Sequence, residues 1–248
     1  KWGFYIMKKE VMVDMTSGRI APQILRFAMP VLLGLVFQRI YNFADSYIVG
    51  HFLGDNALAA VSVAGVGMYL VFSLIIGLTT GVTVVMSQYY GAKEEDKVVK
   101  TFFSSIFIAL GMTILVTVIG LLMTRPLLIV LQTPAEVLDA AVLYLRIICA
   151  GSVGTMLYNW ISAVLRSLGN SVVPLIFLGI SSLLNIVFDI LFVAVIPLGV
   201  GGAAFATVLA QIISGVACLL YAWKILPMLR IRRDKLKLDT YIGKQMLV

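Results

Sequence analysis

The stretch NALAAVSVAGVGMYLVFSLIIGLTTGVTVVMSQYYGA, residues 56–92, carries no charged side chain from end to end. A bilayer core takes about 20 apolar residues per helix, so this run is nearly long enough to cross twice. Whether it crosses once or twice decides the topology of everything after it, and the charges on either side supply the answer. Upstream lie Lys1, Lys8, Lys9, Arg19 and Arg26; downstream, GAKEEDKVVK (residues 91–100) brings Lys93, Lys97 and Lys100. With the N-terminus inside and a single crossing, both groups are cytoplasmic, and Arg166 and Lys224 through Lys244 join them. The three outer loops then hold only Arg125. Splitting the run would carry the 93–100 loop outside, against the bias of Lys and Arg toward the cytoplasm. It reads as one long helix.

The rest of the chain agrees with lipid as its solvent. Of 248 residues, 61% are hydrophobic and 12% charged, and the mean hydropathy is +1.04. Six spans are expected near 24–50, 56–90, 100–124, 138–166, 171–196 and 203–223. His51 to Asp55, TRPLL with QTPAE, RSLGNS and PLGVGG supply turn or charge signals between them. This divides the chain into a cytoplasmic segment 1–22, a helical lobe 23–224 and a basic cytoplasmic stretch 225–248. The net charge of +7 is therefore a topology signal and implies no nucleic acid. MLRIRRDKLKLD, residues 228–239, is expected to face anionic lipid of the inner leaflet. No cleavable signal is evident, and a chain opening at Lys1 points to a start at Met7 or further upstream.

Within this lipid-soluble chain the polar residues stand out. A charged side chain at mid-membrane costs about 2.5–3.5 kcal/mol on insertion scales, so those present are usually functional. In the first span Gln38, Tyr41, Asn42 and Asp45 fall at i, i+3, i+4 and i+7, one helix face. In the fifth, Ser181, Asn185 and Asp189 fall at i, i+4 and i+8; the sixth offers Thr207, Gln211 and Ser214. At 1.5 Å per residue, Asp45, Asp189 and Thr207 all lie roughly 8–11 Å below the outer surface. Carboxylate, amide, hydroxyl and phenol oxygens converging there suit a hard cation such as Na+, or a proton on a desolvated carboxylate. The competing reading is structural, with the same groups pairing to hold helices together.

Other candidates point less far. Arg39 and Arg146 lie inside spans as counter-ions or as snorkelling side chains, and His51 sits at a loop edge. Cys149 and Cys218 fall within spans and read as small buried hydrophobes. Gly77 and Gly81 have the small-xxx-small spacing of close helix packing, and Pro30 permits a bend in the helix carrying Asp45. An enzyme is not expected. One His and two distant Cys make no usual zinc site, no GxSxG elbow occurs, and NFADSY and NIVFDIL lack the GxGD of intramembrane aspartyl proteases.

Four stretches together resemble the MATE family, the multidrug and toxic compound extrusion transporters. They are MPVLLGLVFQRIYNFADSYIVGHFLGDNALAAVS, GLTTGVTVVMSQYYGAK, AVLRSLGNSVVPLIF and SSLLNIVFDILFVAVIPLGVGGAAFATVLAQ. NIVFD is similar to the DinF-like branch. The resemblance covers roughly residues 20–248 and implies an all-α integral membrane protein, its six helices forming one lobe of a two-lobe transporter. It implies efflux of small organic cations or amphipathic drugs, driven by Na+ or H+ and needing no cofactor. The cation site would map onto Asp45, Asn185, Asp189 and Thr207, with Tyr41 nearby; Gln38, Asn42, Ser181 and Gln211 would line a secondary cavity. IGKQMLV (242–248) echoes IAPQILRFAMP (20–30), as though a second repeat were opening. A partial chain holding the N-terminal lobe, or a half-transporter pairing with a second copy, follows from that. The rivals are a lipid-linked oligosaccharide flippase of the same superfamily and a non-transporting scaffold.

Overall fold

A segment crossing lipid must satisfy its own backbone amides and carbonyls, which the helix does internally. The computed structural model describes residues 19–226 and 239–247, and the regular structure among them is helical throughout. The helices are α1 (Ile20–Leu53), α2 (Asp55–Gly91), α3 (Glu95–Val130), α4 (Ala135–Ala150), α5 (Ser152–Ser167), α6 (Val172–Asp189), α7 (Gly199–Ile225) and α8 (Thr240–Leu247). A π-helical turn, Ile190–Val195, extends α6. Five of these segments are long and apolar enough to cross a membrane, and α4 and α5, bent by 50° at the break between them, reach that length and hydropathy together. The expected lipid-facing run at 228–239 lies outside the described residues except for Asp239, as do Lys1, Lys8 and Lys9.

The uncharged run 56–92 is one helix, as the charge argument requires. α1 likewise passes through Pro30 as a single helix. Two boundaries differ from expectation. Helix α3 does not stop at Arg125–Pro126 but runs on to Val130, because proline inside a helix removes one hydrogen bond without obliging the chain to turn. The fourth span is broken at Gly151, where α4 gives way to α5. A Gly–Ser pair is a common kink site, and a Cβ on Gly151 would run into Val208 of α7.

Small residues set the spacing of the bundle. A Cβ on Gly154 would lie 2.6 Å from Ile212, so α5 and α7 meet almost backbone to backbone. Such close approach is how helices gain packing energy in lipid, where burying apolar surface contributes little. Phe103, Met86, Ile75, Leu145 and Leu165 fill the interior, and Trp160 Nε1 donates to Ser105 Oγ at 2.9 Å to tie α5 to α3. The outer surface is apolar too, with Leu32, Val36, Phe43, Leu110 and Leu122 exposed, as contact with lipid demands.

Alternation of the spans gathers Lys93, Lys97, Lys100, Arg166, Lys224 and Lys244 at one end of the lobe, hereafter the basic end. There α8 folds back beneath α2 and α3 with Ile242 and Met246 buried. Asp239 accepts from the Tyr241 N–H at 3.1 Å, capping the helix. Its own N–H donates to Ser104 Oγ at 2.9 Å, and Tyr89 Oη donates to Gln245 Oε1 at 2.8 Å. The two glycines of the expected packing motif part company here. Gly81 lies against the Met246 carbonyl with no room for a Cβ, whereas Gly77 faces open space.

Candidate functional site

Helix α6 is amphipathic in reverse. Beyond its first turn, its buried residues are Ser181, Asn185 and Asp189, while Ile180, Leu183 and Val187 face outward. Lipid inverts the usual preference: apolar side chains are at ease outside, and polar ones must find partners within. α1 brings Tyr41 and Asp45 to the same place. From α7, Thr207 Oγ1 accepts a hydrogen bond from Asn185 Nδ2 at 3.2 Å.

At the centre the carboxyl groups of Asp45 and Asp189 meet, with Asp189 fully buried and Asp45 8% exposed. Tyr41 is close enough to feel both charges. Asp45 Oδ1, Asn185 Oδ1 and both carboxyl oxygens of Asp189 are buried without a hydrogen-bond partner. Buried acceptors are nearly always satisfied in native proteins. Oxygens alone, two of their groups carboxyls, make a donor set suited to a hard cation or a proton. Among the described residues no three His, Cys, Asp or Glu side chains cluster, so a transition-metal centre has no ligand set.

Beside this pair lies a polar cavity of about 50 Å³, lined by Gln38, Tyr41, Ser181, Asn185, Thr207 and Gln211 together with residues of α5. Gln211 accepts from Thr155 Oγ1 at 2.5 Å. Asn42 is a correction. It is exposed and does not line the cavity, because it sits about 60° around α1 from Asp45, past the edge of the buried face. Arg39 is exposed among Leu32, Leu35, Val36 and Phe43; Arg146 is exposed, and His51 stacks on Tyr47 at the far end of α1.

Two contributions escape the sequence reasoning. Tyr144 of α4, buried, stands beside both carboxylates and Thr207. Isolated in an apolar stretch, it has no stripe to announce it. Tyr158 and Asn159 of α5 line the cavity, and here a signal exists: Thr155, Asn159, Ser162 and Arg166 recur at i, i+4, i+7 and i+11.

The chain matches the MatE family model over residues 30–191. It belongs to the MatE family. It is 34% identical over 245 residues to the probable multidrug resistance protein YpnP of Bacillus subtilis, covering 95% of this chain and 55% of that protein. The DNA damage-inducible protein F of Escherichia coli, the DinF relative the resemblance implied, is 27% identical, covering 85% of this chain and 46% of that one. The solved structure of MATE in the bent conformation superposes with a TM-score of 0.85 at 25% identity, over 94% of this chain and 52% of that one. The chain thus spans about half the length of the curated relatives it matches. As a MatE family chain it is a multi-pass, all-α membrane protein.

Proposed function

We propose that this chain forms one lobe of a multidrug antiporter, in which Na+ or H+ moving in drives organic cations or amphipathic drugs out. Relatives named as multidrug resistance proteins favour export of such compounds. The observation that carries the coupling is the buried Asp45–Asp189 pair, with unpartnered oxygens beside the Asn185–Thr207 hydrogen bond. Two negative charges side by side in a dry site repel strongly. Na+ held by Asp45, Asn185, Asp189 and Thr207, or a proton on the carboxyls, relieves that repulsion and draws α1 and α6 together. A cationic drug bound to the empty pair loses its attraction once the ion arrives and is released outward. The ion drives this only through its different affinity for the two states.

The basic end faces the cytoplasm, in keeping with the positive-inside bias, so the N-terminal segment and the 225–248 stretch are cytoplasmic. A cavity of about 50 Å³ is too small for a drug, which ordinarily takes several hundred. The drug path therefore needs a further surface, supplied by a second six-helix lobe of the same polypeptide or, failing that, by a second copy. A lipid-linked oligosaccharide flippase would want arginines around its pyrophosphate, yet Arg39 and Arg146 lie away from the cavity lining. The test is drug uptake into everted vesicles carrying the complete gene product, the direction that corresponds to export from the cell. D45N and D189N should each abolish gradient-driven transport while the protein still reaches the membrane. Wild-type rates in both variants would sink the mechanism.

A further inference from the structure

The polar stripe of α5 does not end at the cavity. Tyr158 and Asn159 stand at its wall, Thr155 is bonded to Gln211 of that wall, and Ser162 and Arg166 continue the same face toward the basic end. Helix α7 lies along this face. Tyr158 is near both Cys218 and Arg166, and a Cβ on Gly215 would come within 3.1 Å of the Tyr158 backbone nitrogen. The hydrogen bonds beside it follow the same line: Ser214 Oγ donates to the Phe177 carbonyl at 2.5 Å, and Tyr158 Oη to the Pro174 carbonyl at 2.9 Å. A seam of hydroxyl, phenol and amide groups thus runs between α5, α6 and α7 from the cavity to the end of the lobe.

Two features of the seam need an explanation. Ser162 is fully buried, with its hydroxyl beside the Tyr158 phenol in the middle of the seam. Beyond it stands Arg166, only partly exposed, and no ion pair is formed by it among the described residues. A buried polar thread through a transporter is a leak hazard, since water entering at Ser162 would link the cavity to the far side. A fixed positive charge at the end of such a thread repels Na+ and H+ alike, as arginines do in selective pores.

We propose that Arg166 is an electrostatic plug that keeps the coupling cation from crossing this lobe along the α5 seam without substrate exchange. The proposal rests on the antiport reading of the Asp45–Asp189 pair, and its test is separable from that one. The complete gene product is reconstituted in liposomes without drug, and Na+ and H+ influx are followed down an imposed gradient. Wild-type protein should be tight, R166Q should leak several-fold faster, and R166K, which keeps the charge, should stay tight. In the double variant R166Q/S162V an apolar side chain interrupts the seam, and the leak should fall back. Equal influx in R166Q and wild type overturns the plug. A leak in R166K as large as in R166Q overturns its electrostatic nature, and a leak that S162V leaves untouched overturns the route. Failure of the antiport reading shows elsewhere, as wild-type protein that exchanges no drug for either cation.

Discussion

At the residue scale the site joins groups that no single helix holds. The Asp45–Asp189 contact spans α1 and α6, the Asn185–Thr207 hydrogen bond spans α6 and α7, and Tyr144 comes from α4. Tyr144 is the sharpest test of this composition. Its hydrogen-bond partner is the Thr207 hydroxyl, and a bond between neutral groups is worth about 0.5–1.5 kcal/mol, so Y144F should weaken coupling-ion affinity roughly two- to tenfold. The measurement is the ion concentration giving half-maximal drug efflux; an unchanged value would remove Tyr144 from the site. The four principal groups were legible in the sequence because carboxylates and amides at helical spacing are conspicuous against a lipid-facing background. Asn42 misled because a spacing rule marks a wide face, whereas burial marks a narrow one. Tyr144 was hidden by its chemistry, since an aromatic among apolar residues reads as packing.

At the scale of elements, one motif splits into two opposite roles. G81A must push the Met246 carbonyl and with it α8 off the bundle, and overpacking of this kind costs about 1–3 kcal/mol. G77A meets nothing and should be neutral or stabilise by about 0.5–1 kcal/mol, because alanine loses less backbone freedom than glycine. Thermal unfolding in detergent compares the two; equal effects would contradict the seating of α8. The sequence showed the GxxxG spacing but not which glycine meets a neighbour, since the partner comes from residues far along the chain. The break at Gly151 was hidden for the same reason, because the obstruction there is Val208 of α7. The single helix over 56–92 was readable, because the lysines on either side argued against splitting the run.

At the scale of the molecule, the chain spans about half the length of the relatives it matches. Its exposed apolar α1 face and its small cavity fit a body that works against a second surface. The central claim is that the cation binds between Asp45 and Asp189 and stabilises the packing of α1 on α6. A ligand binding only the folded state at a hundred times its Kd adds about 2.7 kcal/mol to stability. Hydrogen exchange across residues 38–53 of the complete gene product, at stepped Na+ concentrations and stepped pH, measures this directly. The account predicts that Na+ or acid slows exchange there in wild-type protein and that D45N and D189N both abolish the response. No response in the wild type, or the same response in both variants, would contradict it.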